Sequence, residues 1–220
     1  MFLGQVGLAL AAKHLNPRQS LLSLSVAAMG PDLLHVLLAG AHLESVSLLN
    51  DASGLFPVAH DIVGYSHSLV SVGVMSGIVM VLNKKGRWWA SLLMGHWVLD
   101  ALMYRHDLPI WMDGSGLKIG ASLLSHPMAC VLVEGGLFAT GLWLYRRGFT
   151  GSYKIKPRFW VGMMIIMGLF LGSVLSTPQT AQDLIGYGPL LLVMPLLMGV
   201  IDTQRPLTYD SLTGLHRNPK

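Results

Sequence analysis

The chain alternates apolar runs with short polar breaks. A short run covers about residues 2 to 12, and fuller ones cover 20 to 42, 66 to 83, 87 to 104, 119 to 145, 159 to 175 and 184 to 202. At 1.5 Å per residue the last five are long enough to cross the roughly 30 Å hydrocarbon layer of a bilayer. The first is too short to cross upright. The second is interrupted by Pro31, which removes a backbone hydrogen bond and can open the helix toward a polar cavity. The pattern predicts an all-α fold, a polytopic membrane bundle of about six or seven segments with the first short or re-entrant.

Composition agrees with that expectation. With 220 residues, 52% hydrophobic and 12% charged, and a mean hydropathy of +0.55, the chain has too little polar surface to cover a water-soluble globule. No linker-like stretch divides it, so one integral membrane domain is expected over 1–220, with the chemistry-bearing helices in 1–147 and two further transmembrane helices in 148–220. Cys130 is alone, which leaves no intrachain disulfide and no thiolate metal site. The N-terminal MFLGQVGLALAA lacks a basic leader and is followed by Lys13, so it is expected to be retained structure.

The net charge of +4 could suggest a nucleic-acid partner, but its distribution gives it another meaning. If each run crosses once, 13 of the 15 lysines and arginines fall on one side, in the loops around Lys13, Lys84, Arg146 and Arg205. The other side holds Glu44, Asp51, Asp61, Asp107, Asp113 and Asp183. The positive-inside rule then makes the basic loops and the C-terminus cytoplasmic, in a multi-pass protein of a bacterial inner membrane. Nucleic-acid binding is excluded as the meaning of the charge. The expected partners are the lipid bilayer, a lipid-like substrate and other membrane subunits.

Four clusters carry most of the ionisable side chains inside the apolar runs: Asp32 with His35, His67, His96 with Asp100, and His106 with Asp107. Such groups are expensive in a membrane and are functional by default. Counted from the basic residues at the cytoplasmic ends, Asp32, His96 and Asp100 rise to heights of roughly 14 to 21 Å, and His67 opens its helix at the far boundary. Distant segments thus deliver their polar groups to the outer half of the bilayer.

His96 and Asp100 in GHWVLDALMY are four residues apart and share a helical face, and Asp32 and His35 in GPDLLH are three apart. Two imidazoles and two carboxylates with an open position suit a divalent ion that activates water, and two such faces could hold two ions. Ser66 and Ser68 flank His67, where they can orient its ring or donate to an anion. For any single pair, interhelical hydrogen bonding explains the residues better than a metal does. Three clusters at one depth exceed what packing requires, and the functional reading gains.

Other residues add less. Glu134 in VLVEGGLF is mid-span and fits a general base, a support for a ligand, or a protonated acid bonded to a neighbouring helix. His106 and Asp107 begin an outer loop and fit solvated residues slightly better than groups that close over a headgroup. His14, His42, His60, His126 and His216 lie near span ends or in loops, and most of the tryptophans read as interfacial anchors. Gly135, Gly136 and Gly141 allow close helix approach. No phosphate loop, nucleophile elbow, HExxH, CxxC or dinucleotide fingerprint is present, so a metal or carboxylate mechanism is the hydrolytic chemistry left.

The series FLGQVGLALAAK, AAMGPDLLH, YSHSL, GHWVLDALMYRHDLP and VEGGLFATGLWLYRR resembles a family of small bacterial inner-membrane proteins described as membrane-bound metal-dependent hydrolases and as LexA-binding hydrolases. The likeness covers about residues 1 to 147. It implies a helical arrangement like that of zinc-dependent phospholipase C, with Asp32, His67, His96 and Asp100 as metal ligands, and the mixed nitrogen and oxygen set makes zinc the expected ion. Two positions depart from the pattern: Gln5 and Tyr104 stand where such relatives often carry histidine.

The leading expectation is a hydrolase for a phosphoester or related ester of a lipid-like substrate near the outer face. Glu134 or Asp107 would be the base, Ser66 or Ser68 would steady the anionic oxygen, and His35 and His106 would support the ligands. A non-catalytic subunit or assembly factor of a membrane complex is the alternative, which Gln5 and Tyr104 favour. A proton or cation pathway through Asp32, Asp100 and Glu134 is the third.

Overall fold

The apolar runs fold as helices. The computed structural model describes residues 3–48, 58–83, 86–148, 155–175 and 181–202. Within them come nine α-helices: α1 (Leu3–Leu15), α2 (Leu21–Ala28), α3 (Gly30–Gly40), α4 (Gly64–His67), α5 (Leu69–Leu82), α6 (Gly86–Met103), α7 (Pro127–Arg147), α8 (Pro157–Leu175) and α9 (Ala181–Ile201). Lys84, Lys85, Lys154, Arg205, Arg217 and Lys220, which help to orient the chain in the sequence reading, lie outside the described residues, as do Asp51 and His216.

The all-α class holds, but the expected six or seven crossing segments do not all appear. Among the described residues α7 alone is long and apolar enough to cross a membrane, and α2 with α3 adds a second only if that pair, bent by 63°, counts as one broken span. The reasons are length and polarity. The 14 residues of α5 rise only about 21 Å, and the 18 of α6 include Arg87, His96 and Asp100.

The break between α2 and α3 falls where Pro31 predicts it. Met29 ends α2, and Pro31 occupies the first turn of α3, the one place in a helix where its missing N–H costs nothing. At its other end α3 closes with His42 in the left-handed region (φ 59°), as the amides of His42 and Leu43 return to the carbonyls of Ala39 and Leu38 at 3.0 and 2.8 Å. This turn sends the chain into the antiparallel hairpin of β1 (Ser45–Leu48) and β2 (Val58–Ile62). Ser45 pairs with Ile62, so Glu44 just before β1 comes to lie beside α4 just after β2. A second hairpin joins β3 (Leu108–Pro109) to β4 (Lys118–Ile119).

The first apolar run, expected to be short or re-entrant, forms a helix at the centre of the fold. Leu3, Val6 and Leu10 of α1 are buried in one core with Leu21, Leu24, Phe138 and Tyr145. Its contact with α7 is backbone to backbone: a Cβ on Gly7 would sit 2.5 Å from the Leu137 carbonyl oxygen, and one on Gly141 would strike the carbonyl oxygen of Gly7. Gly135 and Gly136 face open space instead. Lys13, counted above among loop charges, is buried. Its Nζ lies 3.1 Å from Asp202 Oδ2 and donates to the carbonyls of Pro17 and Gln19, while the same Asp202 oxygen accepts the Leu21 amide.

Candidate metal centre

Five segments meet around one polar point. The break after α2 frees the Ala28 carbonyl, which accepts from His96 Nδ1 of α6 at 2.8 Å. On the other side of the ring His96 Nε2 lies 2.9 Å from Asp100 Oδ2 and 3.7 Å from Asp32 Oδ1, and Gln5 Nε2 stands 3.1 Å from Nδ1. His67, at the end of α4, brings its Nε2 to 3.1 Å from Asp32 Oδ1 and 3.8 Å from Asp100 Oδ2. Gln5 of α1 reaches in and donates from Nε2 to Asp32 Oδ2 at 2.7 Å, holding that carboxylate from behind.

Asp32, His67 and His96 each offer one ligand atom, and the three lie within 4.8 Å of one another. They could hold a metal ion. The fit is tested by the polar atoms the fold leaves unsatisfied. His96 Nε2 and both oxygens of Asp100 are buried with no hydrogen-bond partner, although Nε2 and Oδ2 are in contact. Buried polar atoms are normally paired, and three orphans on one face, two of them carboxylate oxygens, are what a cation would satisfy. A mixed nitrogen and oxygen donor set suits a first-row divalent ion.

Access is one-sided. The side chains of His96, Asp100 and His67 are 2% exposed or less, whereas Asp32 keeps 13% of its side chain in contact with the outside and His35 keeps 17%. The open edge of the cluster is therefore on α3.

Behind His67 lies a second polar layer. Glu44 Oε1 accepts the Ser66 amide at 2.8 Å, and Oε2 lies 2.6 Å from Ser66 Oγ and 2.7 Å from His35 Nδ1. Ser66 Oγ is in turn 2.6 Å from His67 Nδ1. Burial raises the affinity of Glu44 for its proton, but the hydrogen bonds from His35 and Ser66 outweigh it and hold the carboxyl below its usual range.

The remaining expected site residues sit elsewhere or are already engaged. Glu134 Oε2 accepts the amides of Leu3 and Gly4 at 2.7 and 3.4 Å and caps the start of α1. Asp107 Oδ1 accepts the Arg105 amide, and His106 is exposed with φ 60°. Ser68 Oγ caps α5 by accepting the Ser71 amide, and Ser66 serves Glu44, so both hydroxyls hold the scaffold.

Two residues at the cluster were not chosen from sequence as its members. Glu44 looks like an ordinary loop carboxylate until the hairpin places it. Gln5 is signalled only as the position that departs from the family pattern, and Tyr104, the other such position, packs its ring 6.3 Å from that of His67. Comparison of the chain with family models, curated proteins and solved structures yields no match.

Proposed function

We propose that this chain is a membrane-embedded, metal-dependent hydrolase of the family it resembles, acting on a phosphoester or related ester of a lipid-like substrate, with zinc as its ion. The observation that carries the reading is the meeting of His67 Nε2, His96 Nε2, Asp32 and Asp100 at a buried point where three of the atoms lack hydrogen-bond partners. A bound zinc ion supplies Lewis acidity at that point. Asp32 faces the open edge and meets the substrate first, and Asp100 lies behind it, fully buried and paired with His96, as a ligand to the ion. His96 and Gln5 hold the two carboxylates in place, and the apolar packing of α1 and α6 keeps water from the rear of the site.

The surroundings support a lipid setting. Leu82, Leu132, Met164, Leu196 and Val200, from α5, α7, α8 and α9, expose 61–80% of their surface, an apolar rim that water would penalise and acyl chains would cover. With the sorting of basic residues, this supports a multi-pass inner-membrane protein of about six or seven segments, the shorter helices included, with a cytoplasmic C-terminus. The test is turnover of a fluorogenic phosphodiester amphiphile by detergent-purified protein. Zinc-stimulated release that disappears in His67→Ala is expected, and release equal to that of the variant would remove the enzyme reading.

A non-catalytic subunit of a membrane complex is a second reading, favoured by Gln5. Its amide donates to Asp32 where an imidazole would offer a lone pair. In that case the purified chain carries no metal and migrates on native gels only with partner subunits.

A further inference from the structure

The corner between α7 and α8 gathers cations that no carboxylate answers. Tyr145 of α7 and Phe159 of α8 are buried and stacked, with ring centroids 4.7 Å apart and planes 8° from parallel. That contact fixes the end of one helix against the start of the other. Arg146, Arg147, Lys156 and Arg158, close to the stacked pair in sequence, are all exposed. Two tryptophans complete the corner. The Arg147 guanidinium lies 3.8 Å from the Trp143 ring centroid, and that of Arg146 reaches from α7 to Trp160 of α8 at 5.6 Å.

Exposed cations alone would read as a solvated face, but these come with exposed rings and aliphatic chains. Trp143 and Trp160 expose 50% and 38% of their surface, and Met164, one turn along α8 from Trp160, exposes 74%. The order along this face is charge, ring, aliphatic chain, which is the order a lipid monolayer presents from headgroup to acyl region. Among the described residues no side-chain carboxylate pairs with the four cations. Asp202 reaches the corner, but its Oδ2 is taken by Lys13 at 3.1 Å and the Leu21 amide at 2.9 Å, and Arg158 meets only its main-chain oxygen, at 2.9 Å. A cation over a ring is held by its charge, which leaves guanidinium N–H donors for an oxygen anion.

We propose that this corner binds the headgroup of an anionic phospholipid. Arg146 and Arg147 donate to its phosphate, Trp143 and Trp160 lie at the level of the glycerol, and Met164 packs against an acyl chain. The inference rests on the lipid setting proposed above and needs neither the metal nor the reaction. In the orientation proposed there, the corner faces the cytoplasmic leaflet, whose negative surface potential complements its charge.

The test is native mass spectrometry of the full chain from detergent, with phosphatidylglycerol and phosphatidylcholine of the same acyl chains as probes. Wild type is expected to retain phosphatidylglycerol in preference. Arg146→Gln plus Arg147→Gln should weaken that retention by about 5-fold for each charge removed and leave phosphatidylcholine unchanged. Both side chains are exposed, so circular dichroism should show the same helicity. Equal retention of the two lipids by wild type overturns the proposal, as does displacement of the lipid by inorganic phosphate. An equal loss in Arg87→Gln plus Lys118→Gln, exposed cations of α6 and β4, overturns it too, because net charge would then explain the preference. Zinc content of the same preparations is read separately. A wild type that holds phosphatidylglycerol but no zinc sinks the hydrolase reading and leaves the lipid site standing.

Discussion

The Nδ1 of His96 lies 2.8 Å from the main-chain oxygen of Ala28, a carbonyl made available where α2 gives way to α3. A helix break in one segment thus sets the ring orientation of a side chain in another. In an unbroken helix the Ala28 oxygen would be taken by the amide four residues on, at Asp32. Pro31 keeps the break in place. Pro31→Ala is accordingly expected to preserve overall helicity by circular dichroism and to weaken zinc binding by about 10-fold or more, since the support of a histidine ligand is lost. Unchanged affinity would show that His96 does not depend on the break.

The α1–α7 contact makes opposite predictions for neighbouring glycines. Gly7→Ala and Gly141→Ala drive a methyl group into backbone, which cannot swing aside as a side chain can, and each should cost about 1 to 3 kcal/mol or more. Gly135→Ala and Gly136→Ala meet nothing and should stabilise α7 by up to about 1 kcal/mol through helix propensity. Thermal unfolding in detergent separates the two pairs.

Lys13 and Asp202 tie the end of α9 to the turn between α1 and α2. Lys13 lies eight residues beyond Gln5 on α1, about 12 Å along the axis from the metal centre. Lys13→Met removes a buried ion pair and the hydrogen bonds to the Pro17 and Gln19 carbonyls and should lower stability by about 3 kcal/mol, with zinc stoichiometry unchanged. A parallel loss of stability and metal would mean that the two clusters are one cooperative unit.

His42 occupies the left-handed position that closes α3, a conformation that glycine adopts without strain. His42→Gly should raise the melting temperature, worth about 1 kcal/mol, because a left-handed residue with a Cβ costs that much. A lower melting temperature would point to a contact of the imidazole that outweighs the backbone strain.

Much of the helical layout was legible in the sequence, because long apolar runs leave few alternatives. The run at 20 to 42 and its interruption at Pro31 correspond to α2 and α3, and the run at 87 to 104 corresponds to α6. Asp32, His67, His96 and Asp100 could be selected together because ionisable groups in apolar runs are rare and the helical spacing of His96 and Asp100 puts both on one face. What remained hidden depends on tertiary contact. Nothing local in AHLES says that Glu44 turns back onto Ser66, because the strand pairing of Ser45 with Ile62 decides it. Nothing local in VLVEGG says that Glu134 spends its oxygen on the amides of Leu3 and Gly4, 130 residues away or more. Lys13 reads as a solvated charge until Asp202, on the last described helix turn, is placed against it.

The account depends most on whether the cluster binds an ion, and metal analysis of detergent-purified protein tests that directly. One zinc per chain is predicted for the wild type and none for the His96→Ala plus Asp100→Ala double variant, since that pair supplies the unpartnered Nε2 and both unpartnered carboxylate oxygens. Equal and negligible metal in the two proteins would contradict it.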